Sequence, residues 1–252
     1  MAKNKRMITI RAGRMLVAVC YTQVASGDPD HVRKAKERAT TEARKRINHR
    51  YSWQKCELLL AANFKSGDLF LTLTYDDDHL PENRKAAMAN IQRYIRLLRQ
   101  IWRKNGTELK YIYCTEDTPD EKGGEKRLHH HIVINNAGCD YETVTSLWTG
   151  GQNVEASTLD DFGGYTALAQ YLSKDGRGGH LPVGARSWSP SRNLSKPTRE
   201  SQMVDECVTI VPPAGCTILE QDSNTNGWGQ FAYLKCLLPE PPKSRRKRPK
   251  KE

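Results

Sequence analysis

Glu116, the run His129-His130-His131, Tyr171 and Lys174 are the residues whose types and spacing could do chemistry. The histidines lead into Ile132-Val133-Ile134, a β-branched run that reads as a buried strand. Side chains alternate faces along a strand, so His129 and His131 point one way and His130 the other. Two imidazoles about 7 Å apart on one face can close on a single metal ion if a third ligand meets them. Glu116, ending a neighbouring strand, can be that ligand. Tyr171 and Lys174 stand three apart and share a helix face. A metal beside a tyrosine and a lysine suits a phosphodiester: the cation polarises a non-bridging oxygen and stabilises charge in the transition state. The phenol, with an unperturbed pKa near ~10, attacks with help from the ammonium and the metal, and the product is a phosphotyrosine.

Each residue also has a plainer reading. A bare His-x-His is as often a surface cluster or a small zinc site. A helix tyrosine usually packs in a core or at its rim, and a lysine near a helix C-terminus answers the helix dipole. Glu116, followed by Asp117, fits a solvated turn, and Asp76-Asp77-Asp78 after a strand fit a turn better than a cation site.

The elements that must position these residues read as follows. Residues 7–11 and 15–23 form a hairpin around Ala12-Gly13. A long polar helix starts at Asp28-Pro29 and runs, with breaks, to about Asn63, its later half striped by Trp53, Cys56, Leu59 and Leu60. A strand over 68–75, a helix over 82–104 ended by Gly106, a strand over 109–115, a loop over 118–126 and the histidine strand follow. Asp140 caps a short helix through Trp148, a fourth strand covers 151–156, and a helix covers 165–174. This β-α-β-β-α-β order is the split βαβ arrangement: an α+β, ferredoxin-like fold whose antiparallel sheet has the histidine strand at its centre. Residues 178–200 look like an extended arm, 216–220 and 231–238 like a last hairpin, and the end of the chain like a disordered basic tail. The expected domains are 1–65 (hairpin and helical extension), 66–200 (the histidine domain), 201–238 (a C-terminal hairpin region on that domain) and 239–252 (tail).

In order along the chain, Phe70-Leu71-Thr72-Leu73-Thr74-Tyr75, His129-His130-His131 and Tyr171-Leu172-Ser173-Lys174 resemble the three motifs of HUH endonucleases, the rolling-circle replication initiators (Rep proteins) of plasmids and single-stranded DNA phages. Asn63-Phe64-Lys65-Ser66-Gly67-Asp68 resembles the lead-in that some of these proteins carry before the first motif. The resemblance spans about 47–197. It implies His129, His131 and Glu116 as ligands of Mg²⁺ or Mn²⁺. It implies Tyr171 as the nucleophile that takes a 5′-phosphate and frees a 3′-OH primer, with Lys174 as the motif lysine. Two departures stand out. The middle histidine-motif position is normally apolar, so His130 must find a partner on the opposite face. Members with two tyrosines space them four apart, but Ala167 occupies that position and Tyr165 falls about 120° off the active face; a single-tyrosine enzyme is expected.

Charge points the same way. The chain carries a formal +11, and residues 241–252 hold seven Lys or Arg against one Glu, half of that excess. Nucleic acid is the favoured partner. Arg177, Arg186 and Arg192 in and beside the arm, and Lys243, Arg245, Arg246, Lys247 and Arg248 in the tail, are the expected DNA contacts. Seven scattered cysteines without a C-x-x-C favour free thiols in a reducing compartment, and no apolar run is long enough to span a bilayer. The expectation is an enzyme of the bacterial cytoplasm that nicks and rejoins single-stranded or supercoiled origin DNA. No G-x-x-x-x-G-K-[ST] occurs, so a host helicase would unwind and a host polymerase would extend. A transposase or mobilisation relaxase of the same chemistry is the first rival, and a non-catalytic nucleic-acid-binding protein with structural histidines is the second.

Overall fold

The protein was analysed as a computed structural model, which describes residues 5–23, 42–116, 128–136, 138–160, 164–174, 186–227 and 229–240. In chain order the elements are β1 (Lys5–Ala12), β2 (Met15–Thr22), α1 (Glu42–Asn63), β3 (Leu69–Thr74), α2 (Arg84–Lys104), β4 (Tyr111–Glu116) and β5 (His129–Ile134). They continue with α3 (Tyr141–Ser146), β6 (Val154–Thr158), α4 (Thr166–Leu172), β7 (Ser189–Pro190), β8 (Thr198–Val204), β9 (Thr217–Asn226) and β10 (Gly229–Leu237). Two units result: residues 26–197, and residues 1–25 together with 198–252.

In the unit of residues 26–197 the sheet order is β6-β3-β5-β4-β7, antiparallel throughout, with the histidine strand in the middle. That is the ferredoxin-like order read from the sequence, with β7 added at the edge. One face is dry because every element turned to it is striped. Leu69, Leu71 and Leu73 from β3 and Ile132 and Ile134 from β5 meet Ala87, Ile91, Ile95, Leu98 and Trp102, spaced three or four apart along α2. Val144 and Trp148 close the end of this core. Each large apolar side chain sealed here contributes roughly 1.5–3 kcal/mol. The Asn83 side chain accepts from Ala86 N at 3.0 Å to start α2, and Asp140 does the same for α3 from Thr143 N.

The opposite face is covered by α1 and α4, which meet through Cys56, Leu60, Phe64, Ala169 and Leu172 over Ile112 and Val133. The Asn63–Asp68 stretch is the corner that sets α1 on the sheet. Asn63 ends the helix and reaches Ser195 N at 2.8 Å and Lys110 Nζ at 3.2 Å, and Phe64 goes into the core. Gly67 takes φ +87°, which a Cβ would resist. Buried Asp68 accepts from Lys65 N at 2.9 Å and Asn136 N at 2.8 Å. These residues serve the scaffold.

The other unit is a second antiparallel sheet, β8-β1-β2-β10-β9. Leu16, Ala18, Leu234 and Cys236 on one of its faces are covered by Ile210, Cys216 and Leu238.

Several sequence expectations change. The division 1–65, 66–200, 201–238 and 239–252 cuts across the two units: the terminal hairpins share one sheet, and α1 belongs with the histidine sheet. Segment 186–197 is no free arm, since Trp188 is buried, β7 pairs with β4, and Ser191 N donates to Tyr111 O at 2.8 Å. From Thr198 onward the chain is strand β8, paired to β1. Helix α4 stops at Leu172, two residues before Lys174. The start of the long helix, the 118–126 loop and the basic tail lie outside the described residues. All seven cysteines are free thiols, and among the described residues no helix is long and apolar enough to cross a membrane.

Candidate metal and tyrosine site

Register alone brings the ligand candidates together. On the α1/α4 face, Glu116 pairs with His129 across β4 and β5, and Thr72 of β3 pairs with His131. Directly opposed residues point to the same side of a sheet. The Glu116 Oε2 atom lies 3.1 Å from His129 Nε2 and 3.2 Å from His131 Nε2, and the three ligand atoms lie within 4.8 Å of one another. Glu116 and His131 are buried, and the His129 side chain is 12% exposed.

The protons can be partly assigned from neighbours. Thr72 Oγ1 sits 3.1 Å from His131 Nδ1 and can accept its N–H, which leaves the Nε2 lone pair facing the carboxylate. Burial pushes His131 below the ordinary histidine value, partly offset by Glu116. The ring is therefore neutral at neutral pH and free to ligate. Phe70 stacks on it at 5.8 Å, with 17° between the planes, and so fixes the ring's orientation. Lone pairs converging on one carboxylate oxygen form a donor set that suits a divalent cation, and two imidazoles with one carboxylate leave coordination positions open. Glu116, His129 and His131 thus fit a divalent metal; the choice of ion does not follow from them.

Tyr171 and Lys174 are brought to the same place. The Tyr171 hydroxyl lies 2.9 Å from His131 Nε2 and can donate to it, while the ring stays 39% exposed. Lys174 Nζ lies 2.6 Å from Glu116 Oε2 and 3.9 Å from the Tyr171 ring centroid. The lysine therefore meets the carboxylate and the π-face of the phenol. It reaches them from the turn beyond α4, where the helix-face argument expected it on the helix itself. α4 is held by its other sides. Thr166 donates to the buried Glu57 carboxylate of α1, and the Tyr165 hydroxyl donates to Phe64 O at 3.3 Å. Tyr165 is buried and turned from the cluster, as its angular offset predicts.

His130 takes the other face and finds two partners there, Tyr75 Oη and Thr115 Oγ1, both at 2.9 Å. Burial drives its pKa down to about 3, with His129 and His131 adding to the effect, so it is a neutral core residue. Asp76 accepts from His79 N at the start of a short 3₁₀ turn, the structural role expected of it. Of the expected DNA contacts, Arg186 and Arg192 are exposed residues flanking β7. Arg177, Lys243, Arg245, Arg246, Lys247 and Arg248 lie outside the described residues. Sequence reasoning did not single out Thr72 and Phe70 as supports of His131. Alternation along β3 puts both on one face, but only the β3–β5 register shows that this face is the ligand face.

Residues 68–176 match a family model described as replication-associated protein, of the ORF2 type. No curated protein and no solved structure matches the chain. The match covers less than half of the chain and contains Glu116, both ligand histidines, Tyr171 and Lys174. With the buried Glu/His/His group of HUH type at its centre, the stretch 68–176 belongs to this family of replication-associated proteins.

Proposed function

We propose that this protein initiates replication by cutting single-stranded DNA at an origin, with Tyr171 as the nucleophile. The observation that carries the reading is the Tyr171 hydroxyl 2.9 Å from His131 Nε2, on the rim of the Glu116–His129–His131 group. A divalent cation held by those three residues would supply Lewis acidity toward a non-bridging phosphate oxygen. The chain's own groups do the rest. Phe70 and Thr72 hold the His131 ring, Glu116 anchors the Lys174 ammonium, and that ammonium over the phenol ring favours the phenolate. In the transfer, a bond forms between Tyr171 Oη and phosphorus while the bond from phosphorus to the 3′-oxygen breaks. The phenol gives up a proton and the departing oxygen gains one. The products are a 5′-phosphotyrosine and a free 3′-OH, and rejoining is the reverse attack by a 3′-OH.

The 3′-OH would serve a polymerase as primer, and a partner helicase would unwind the template. The test is a denaturing gel with origin oligonucleotides labelled at either end, with Mg²⁺, Mn²⁺ or chelator. A 3′-end label should move to the protein band and a 5′-end label to a shorter free strand. Binding without cleavage in either metal would instead assign a nucleic-acid-binding protein with structural histidines.

A further inference from the structure

The five-stranded sheet outside the matched region carries its own row of groups suited to unpaired bases. Register sets Met203, Arg6, Tyr21, Phe231 and Asn224 side by side across β8, β1, β2, β10 and β9. They share one face, the face opposite to Leu16, Ala18, Leu234 and Cys236. Phe231 is 39% exposed, a large aromatic surface for a sheet side chain with no role in the adjacent core.

Around Tyr21 and Phe231 lies an open cavity of about 320 Å³, also lined by Asp222, Asn224, Asn226 and Gly229. Gly229 keeps its floor clear. It has φ +145°, and a Cβ there would stand 2.5 Å from Thr22 Cβ, so no other residue fits without moving β2 from β10. The lining is polarised. Arg6 is held beside Tyr21 by bonds from Nε and Nη2 to Gln23 Oε1 at 3.3 Å and from Nη1 to Ser201 Oγ at 3.4 Å. Acceptor-bearing Asp222 and Asn224 stand at the opposite side, on β9. A cation, two aromatic rings and a carboxylate in sequence match a nucleotide laid across the sheet: phosphate at Arg6, base on the rings, base edge at Asp222.

We propose that this cavity binds an unpaired nucleobase of the DNA strand on which the protein acts. An ionised carboxylate only accepts hydrogen bonds. The favoured base therefore has two adjacent donors on its pairing edge, which is guanine; thymine offers one. The proposal rests on the reading that the protein handles single-stranded DNA, and it places base preference on the sheet that lacks the metal and tyrosine site.

The probes are fluorescent homothymidine 12-mers and the same strands with one central guanine, titrated with full-length protein in Mg²⁺. Phe231→Ala and Tyr21→Ala should each weaken binding of the guanine strand by about tenfold, the loss of one base–aromatic stack. Asp222→Asn should leave thymidine binding unchanged and reduce the guanine preference several-fold. That readout does not respond to a mere loss of stability, and thermal melts identify any variant that fails to fold. Phe231→Ala should still form the Tyr171 adduct on an origin oligonucleotide at saturating protein. Folded Phe231→Ala and Asp222→Asn variants that bind both strands as the unmodified protein does would overturn the proposal, even with nicking intact. A guanine preference lost in Asp222→Asn, in a protein that never nicks, would support the cavity and remove the nuclease reading.

Discussion

Strand β5 carries three consecutive histidines, and its two faces treat them in opposite ways. On the α2 face, His130 is buried against Tyr75, Thr115 and Trp148, each ring nitrogen has one hydroxyl partner, and nothing is left over. On the α1/α4 face, His129 and His131 meet one carboxylate oxygen, a lysine and a partly exposed phenol. One histidine is neutral and satisfied. The other two present lone pairs to a common point beside solvent. Burial is therefore a poor guide to role: His130 and His131 are both almost fully buried, and what separates them is whether their partners complete them or compete for the same space.

This contrast can be broken experimentally, and the largest effect is expected at the open face. Tyr171→Phe removes one hydroxyl from a partly exposed ring, so adduct formation should fall to background while affinity for an uncleaved strand stays unchanged. A covalent adduct in this variant would assign the nucleophile elsewhere. Next come His129→Ala and His131→Ala, each of which should abolish Mn²⁺-supported cleavage and saturable Mn²⁺ binding, read by calorimetry on the folded protein. If His130→Ala lost metal binding equally, the two faces would not differ as described.

A smaller effect sharpens the account of His131. Thr72→Val keeps the shape but removes the acceptor at Nδ1, and the loss of such an orienting partner costs about 10–100-fold in metal affinity or activity. Thr72→Ser should restore most of it. Unchanged metal affinity in the valine variant would mean that Phe70 alone holds the ring.

The closed face should answer in stability. His130→Ala leaves a cavity and strips Tyr75 and Thr115 of a partner, which together cost about 2–4 kcal/mol, while the folded fraction retains the ability to bind Mn²⁺. Its pH dependence has a definite sign. The folded-state value near 3 lies below the unfolded value of 6.5, so between those limits the unfolded chain binds the extra proton. His130 therefore has its full stabilising effect above about pH 6.5 and loses it progressively as pH falls toward 3. In denaturant melts between pH 7 and 5, the unmodified protein should lose stability more steeply than His130→Ala, by roughly 1 kcal/mol per pH unit. Parallel slopes would mean that His130 is protonated in the native state.

What the sequence by itself determined is whatever depends on period and order. Alternation in 129–134 separated His130 from its neighbours, the stripe from Ile91 to Trp102 made α2 an amphipathic helix, and the order of elements made the histidine strand central. These are local patterns, because a strand's two faces and a helix's stripe are written within a few residues. Other features waited for pairing between distant segments. That Thr72 lies at His131, that Trp188 lies in the core with Ser191 tied to Tyr111, and that residues 5–22 and 198–237 form one sheet are statements of register between segments tens to hundreds of residues apart. A strand records which residues share a face, but not which strand lies beside it; that choice is made by the burial and hydrogen bonding of the whole sheet. The same holds for Lys174. Its place three residues after Tyr171 suggested a shared helix face, but the helix ends first, and the tertiary pull of the buried Glu116 carboxylate brings the ammonium to the site.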